Sequence, residues 1–260
     1  MDGLPDAFYL PLGDDRYRPT RATESPWDRA AQHGGPPAAL LAHIIDSAVP
    51  DGLRLARLSL DFLGPVPLAD ARVEVGPVKP GRLVHLSEAR LLVDGRAAVI
   101  ARAWHIATGG RPPVVTEPVP PPDLPGPTEQ RYFPGLGDWG YGEATEWRFT
   151  HGGYDMPGRA DVWTRVRIPL LVDAPMTGLA RALIVADSAN GLSAVLPMAQ
   201  WLSIPPAMTT TLLREPVGEW THLACRTQLA DDGVGLAHGD LSDRDGVIGE
   251  VAQPLLVRAR

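Results

Sequence analysis

A proline-dense segment near the middle of the chain limits what this sequence can fold into. Residues 109–128 read GGRPPVVTEPVPPPDLPGPT. Each proline removes a backbone donor and fixes φ, so neither a helix nor a central strand can run through such a stretch. The segment separates two parts of similar length. We therefore expect an N-terminal domain at residues 1–108, a proline-rich linker at 109–128 and a C-terminal domain at 129–260.

The two parts repeat the same order of landmarks. Pro65-Val66 corresponds to Pro216-Val217, and the turn Asp94-Gly95 corresponds to Asp245-Gly246, both 151 positions apart. At the same offset Gln253 falls on Arg102, so a polar side chain recurs there. A repeat of this length predicts an internal duplication of one structural unit.

Each unit reads as one helix followed by four strands. The run PPAALLAHIIDSAV after Gly35 has apolar side chains at helical spacing, and residues 176–196 predict a second helix interrupted near Asn190-Gly191. Alternating apolar residues predict strands at 53–63, 71–78, 83–93 and 97–106, and again at 208–217, 220–229, 234–243 and 247–259. This order is typical of an α+β unit in which an antiparallel sheet wraps a central helix.

Composition argues against several kinds of partner and cofactor. The net charge is −7, whereas nucleic-acid binding needs a basic surface, so no nucleic-acid partner is expected. One cysteine, Cys225, excludes an intrachain disulfide and a multi-cysteine metal site. The histidines are scattered and no glycine-rich phosphate loop follows a strand. We expect neither a metal nor another cofactor.

The chain also lacks the marks of a membrane or exported protein. No run approaches eighteen apolar residues, so no membrane span is expected. The first residues, MDGLPDAFYL, carry acidic side chains where a signal peptide carries basic ones. We expect a cytoplasmic protein.

Several segments, in this order, resemble the acyl-CoA thioesterase II family and its actinobacterial thioesterase-like relatives. They are His33-Gly34-Gly35 followed by PPAALLAHI, then DFLGPVPLADARVEV and KPGRLVHLSEARLLVDGR, then ADSANGLSAVLP, TTTLLREPVGEW and DGVIGEVAQPLLV. The resemblance implies a tandem, or double, hot-dog fold and an acyl-CoA substrate within lipid metabolism. Because such sheets leave edges and faces that need cover, it also favours a homo-oligomer.

The resemblance implies a catalytic group made of an Asp, a Thr or Ser, and a Gln that together hold a water molecule. The Asp falls on Asp187 and the Gln on Gln253. The family's Arg-Pro landmark reads Arg214-Glu215-Pro216 here, and alignment on Arg214 favours Thr209 as the hydroxyl. Thr211 shares its strand face and stays open as the alternative, whereas Thr210 points the opposite way.

These residue types suit thioester hydrolysis. The Asp187 carboxylate can act as general base towards water, which Thr209 and Gln253 would orient. Backbone N–H groups at a helix start can meet the oxyanion, and Gly191 would let the backbone approach the ligand closely. The expected substrate contacts are His33, Gly34, Gly35, Gly191 and Thr211.

Two other functions stay open. The first is an enoyl-CoA hydratase on the same fold, a class that pairs an Asp with a His a few residues on. Asp187 is followed by Ser188, Ala189 and Asn190, with no histidine nearby, so this alternative ranks lower. The second is a non-catalytic acyl-CoA or lipid-binding protein that retains the pocket. In that case Asp187 would only cap a helix and Gln253 would only satisfy a backbone partner.

Overall fold

The computed structural model describes residues 3–117 and 119–260, where thirteen strands form one antiparallel sheet and two short strands pair separately. Asp2, part of the acidic start of the chain, and Pro118 of the proline-rich segment lie outside the described residues. The strands are β1 (Tyr9–Gly13), β2 (Arg16–Pro19), β3 (Ala31–Gln32), β4 (Leu53–Phe62), β5 (Val66–Pro67), β6 (Ala71–Lys79), β7 (Val84–Val93), β8 (Arg96–Ala107), β9 (Thr145–Gly153), β10 (Met156–Val166), β11 (Trp201–Ile204), β12 (Ala207–Leu212), β13 (Trp220–Leu229), β14 (Val234–Asp243) and β15 (Gly246–Ala259). The helices are α1 (Gly35–Ser47), α2 (Gly140–Glu143), α3 (Gly178–Ala186) and α4 (Ala189–Leu192), with a 3-10 turn at Arg21–Thr23.

Corresponding strands of the two halves follow one another in the same order when the sheet is followed inward from either edge. Its order is β1-β2-β6-β7-β8-β4-β12-β15-β14-β13-β10-β9, with β11 added beside β15. Strands β4 and β12 meet in the middle, where Ser59 lies opposite Thr209. Each half contributes six strands in mirrored order around one main helix, so the predicted tandem hot-dog fold is confirmed.

The structure corrects the predicted second hairpin turn by one residue. In the first half, Asp94 and Gly95 both have positive φ and form the predicted turn between β7 and β8. In the second half, the turn residues are Arg244 and Asp245, and Gly246 is already the first residue of β15. The offset between corresponding strand residues of the two halves is therefore one residue smaller than the 151 positions that the sequence landmarks indicate.

This shift changes the partner of Gln253. Because side chains alternate between the two faces of a strand, a one-residue slip moves a residue to the opposite face. The first-half counterpart of Gln253 is the buried Ala103, whereas Arg102 is exposed and pairs with Glu88. The polar position does not recur, so the inference from Arg102 was wrong.

Helices α1 and α3 lie in contact beneath the sheet. A Cβ on Gly35 would collide with the carbonyl oxygen of Ile184, so the glycine permits this close approach. Thr177 Oγ1 caps the start of α3 by accepting from the Ala180 N–H at 3.0 Å. The helical run breaks at Asp187-Ser188, slightly before the predicted Asn190-Gly191.

The proline-rich segment forms neither helix nor strand over its described residues, as its composition predicts. It packs against β9 and β10, where Trp163 Nε1 donates to the Pro122 carbonyl oxygen at 2.9 Å and Arg148 to that of Pro125 at 2.8 Å. The domain boundaries at residues 108 and 129 stay a prediction. None of the helices that the structure describes is long and apolar enough to cross a membrane.

The single cysteine gives a test of the buried core. Cys225 lies in β13 with 1% exposure, and burial raises the pKa of its thiol to about 12. The thiolate is the reactive form, so the folded protein should react negligibly with a disulfide reagent at pH 8. One thiol per chain should appear on denaturation. Rapid labelling of the native protein would contradict this burial.

Candidate active site

A cavity of about 550 Å³ is lined by residues of both halves. The first half contributes the segment that leads into α1 and the end of β4. The second half contributes the junction of α3 and α4 and the segment leading into β12. Its walls carry five aromatic side chains, namely Trp27, Phe62, Phe133, Trp139 and Trp147. A cavity of this size and lining is typical of a small-molecule site.

Asp187 lines this cavity and is hydrogen-bonded by the buried Gln253. Asp187 directly follows the last residue of α3, and its Oδ1 accepts from Gln253 Nε2 at 2.9 Å. Gln253 is fully buried because its strand alternation points it inward, and its Oε1 accepts from the Asn190 N–H at 3.1 Å. The amide therefore fixes both the carboxylate and the first turn of α4.

His33 holds the other carboxylate oxygen. Its Nδ1 lies 3.0 Å from Asp187 Oδ2, and both side chains are at most 10% exposed. The Gly35 N–H also points at Nδ1, at a longer 3.3 Å. We assign the proton to Nδ1 because the shorter contact is with a carboxylate, which can only accept when ionised.

The imidazole ring is fixed by aromatic contacts. It stacks on Tyr141 with 3.8 Å between ring centroids and an interplanar angle of 5°, and Trp139 lies 5.8 Å away. The Tyr141 hydroxyl donates to the Ile184 carbonyl oxygen at 3.0 Å and lies 2.7 Å from Ser188 Oγ. Burial raises the pKa of Tyr141 far above its usual value, and the charge of Asp187 adds to that effect. Tyr141 is therefore a permanent, neutral donor.

The carboxylate also lies at the N-terminus of α1. A Cβ on Gly34 would come within 2.9 Å of Asp187 Oδ2 and 2.8 Å of Phe62 Cζ, so the carboxylate packs against the backbone at this point. Partial positive charge at a helix N-terminus stabilises an anion. Because Pro36 and Pro37 have no N–H, the first turn offers few donors. The Gly34 N–H has no acceptor among the described residues.

The structure does not bring the predicted threonines to this cluster. The pleat of β12 turns Met208 and Thr210 inward, whereas Thr209 is half-buried on the other face and Thr211 is exposed. Neither Thr209 nor Thr211 lines the cavity, so the site hydroxyl expected from Thr209 and the substrate contact expected from Thr211 stay predictions. The lining of the cavity at the approach to this strand is instead apolar, from Ile204, Pro205 and Pro206.

Gly191 lines the cavity, but space does not require a glycine there. A Cβ at this position would meet nothing within 4 Å. Two other residues of the site were missed from the sequence. Tyr141 lies in a region without periodicity, and Asn190 was noted only as a helix interruption, yet its side chain exchanges two hydrogen bonds of 2.8 Å with Ser203.

The fold and this cluster together define a hot-dog protein with one polar centre at an apolar cavity. Sequence models of the acyl-CoA thioesterase N-terminal and C-terminal domains match residues 23–106 and 116–257. The chain therefore belongs to the acyl-CoA thioesterase family, and its class is that of thioester hydrolases. No curated protein matches the chain.

Solved structures share the whole architecture at low identity. A hot-dog protein of unknown function from Alicyclobacillus acidocaldarius is 18% identical with a TM-score of 0.76, covering 98% of this chain and 97% of the other. Acyl-CoA thioesterase II TesB2 from Mycobacterium marinum is 17% identical with a TM-score of 0.70, covering 97% and 95%. A tesB protein from Mycobacterium avium subs paratuberculosis is 16% identical with a TM-score of 0.70, covering 96% and 95%. At these identities the likeness supports the fold.

The tight packing of Gly34 gives a direct test of the site geometry. Gly34→Ala should push the new methyl group into Asp187 and Phe62 and displace the carboxylate, lowering thioesterase kcat/KM at least tenfold. Gly76→Ala is the matched control, because its Cβ would meet nothing within 4 Å on β6. Steady-state kinetics and thermal unfolding of both variants would check this. Native activity in Gly34→Ala would contradict the described packing.

Proposed function

We propose that the protein hydrolyses acyl-CoA to a free fatty acid and CoA at the Asp187 cluster. The supporting observation is a buried carboxylate whose two oxygens are held by Gln253 and His33 at the wall of an apolar cavity. An ionised carboxylate here supplies the negative charge needed when a proton leaves the attacking water. Fixed donors keep it oriented, so little reorganisation accompanies the reaction.

The aromatic walls suit the acyl group of the substrate. Trp139, Trp147 and Phe133 present apolar surface deep in the protein. Burying one methylene in such a place contributes about 0.8 kcal/mol, which is about fourfold in kcat/KM if the transition state keeps the contact. The acyl chain would therefore occupy the cavity, with its thioester carbonyl next to Asp187.

The start of α1 suits the thioester oxygen. Gly34 lines the cavity, and its N–H has no acceptor among the described residues and lies at the positive end of a thirteen-residue helix. Backbone N–H groups in this setting stabilise the oxyanion of a tetrahedral intermediate. We assign that role to Gly34.

A thiol-release assay with acyl-CoA esters of increasing length tests the proposal. We expect activity that rises with chain length until the cavity is full. Asp187→Asn, which keeps the side-chain volume, should lower kcat about 10²–10⁴-fold while the protein stays folded. Cys225 is too buried to add a background signal from the native protein.

The alternative functions give different outcomes in the same experiment. A native protein that binds acyl-CoA without releasing thiol would be a binding protein. Because His33 stands beside Asp187 in space, the sequence argument against a hydratase no longer holds. Loss of enoyl-CoA absorbance without thiol release would identify that activity. Membership of the thioesterase family favours hydrolysis over both.

Thr209→Val tests the hydroxyl that the sequence alignment favoured. The substitution removes the hydroxyl and keeps the branched shape, and the Thr209 side chain lies away from the cavity. We therefore expect kcat and KM within twofold of native in the thiol-release assay. A loss of tenfold or more in a folded variant would restore Thr209 to the reaction.

A further inference from the structure

We propose that His33 is the general base of the reaction, with Asp187 as the charged group that positions it. This inference rests on the proposed function and assigns the atom that takes the proton. In this arrangement Nε2 of His33 accepts the proton of the attacking water, while Nδ1–H remains bound to Asp187 Oδ2.

The carboxylate of Asp187 is already engaged on both oxygens. Oδ1 accepts from Gln253 at 2.9 Å, and Oδ2 lies 3.0 Å from His33 Nδ1. Its side chain is only 7% exposed, and a Cβ placed on Gly34 would contact it. Each protein donor uses acceptor capacity that an attacking water would otherwise need.

The imidazole, in contrast, offers an unused acceptor. With the proton on Nδ1, the lone pair of the ring is on Nε2, and no described residue donates to it. His33 lines the cavity, whereas most of the ring is covered by Tyr141 and Trp139. The ring is therefore held in one orientation next to the space that the thioester would fill.

Asp187 favours the charged form that the base must adopt. A carboxylate bonded to Nδ1–H fixes the tautomer and stabilises the imidazolium formed when Nε2 gains a proton. The apolar walls strengthen this interaction because they exclude water. The titratable groups that contact the ring, among the described residues, are Asp187 on one edge and the neutral Tyr141 on one face.

The proton and electron balance closes without another reactant. Water loses a proton to Nε2, and its oxygen forms a bond to the thioester carbonyl carbon, which gives a tetrahedral oxyanion. The oxyanion re-forms the carbonyl group as the carbon–sulfur bond breaks and the electron pair leaves on sulfur. Nε2–H then donates its proton to that thiolate, which yields the acid, CoA and neutral His33.

Two substitutions separate a base from a positioning residue. His33→Asn places an amide N–H where Nδ1–H lies, so Asp187 keeps its donor while Nε2 is lost. His33→Gln places its amide near Nε2 and removes the donor to Asp187. If His33 is the base, both variants should lose about 10²–10⁴-fold in kcat with acyl-CoA binding retained. Thermal unfolding and equilibrium binding of a non-hydrolysable acyl-CoA thioether would show that each variant is intact.

One result would overturn the inference. If His33→Asn keeps kcat within threefold of native, His33 only positions Asp187, and the carboxylate itself takes the proton. If that variant does not fold, His33→Ala serves instead. Saturable recovery of its activity by added imidazole supports the base, and native-like activity without imidazole overturns it. Failure of the proposed function itself looks different, because the native protein would then release no thiol.

Discussion

The buried charge of Asp187 is the constraint on which the site depends. A carboxylate withdrawn from water is costly unless donors replace its hydration. Here the donors come from opposite halves of the chain, Gln253 from the last strand and His33 from the segment before α1. The complete site therefore exists only when the halves are docked, and any change that loosens their contact removes the His33 donor from the buried carboxylate. The partial positive charge at the N-terminus of α1 also stabilises the carboxylate, whereas the C-terminus of α3, which Asp187 follows, carries partial negative charge.

The fold is duplicated, but the cluster is built once. The pairing registers of the two hairpins place Ala103 where the second half has Gln253, so the first half has no amide to hold a carboxylate. The same asymmetry appears in the helices, since α1 continues to Ser47 while the second helical run breaks at Asp187-Ser188. That break turns the carboxylate into the cavity and starts a new helical turn whose Asn190 N–H binds Gln253. The second half thus provides the Asp187 carboxylate, and the first half provides the His33 imidazole and the Gly34 N–H.

Much of the fold could be predicted from local sequence patterns, whereas several contacts of the site could not. Alternation and turn residues predicted the bounds of β13 and β14 as the structure has them, because one buried face constrains a strand residue by residue. The pairing of Asp187 with Gln253 followed from family resemblance. The role of Thr209 stays a prediction, because a gap of one residue decides which face a side chain takes and the departure at Arg214-Glu215-Pro216 leaves that gap undetermined. Tyr141 lies in the four-residue helix α2, which is too short for periodicity to mark a contact to a distant helix.

The contact between His33 and Asp187 shows why order along the chain is a poor guide to such a centre. The sequence argument sought a histidine a few residues after the acid, yet the fold delivers one from the other half. The crossing of α1 and α3 places this histidine beside the acid. The two helices approach closely because Gly35 has no side chain to collide with Ile184. The same crossing brings Gly34 against the carboxylate, and Tyr141 of α2 stacks on the ring. A glycine pair at a helix start therefore sets the distance between an acid and an imidazole that the sequence keeps far apart.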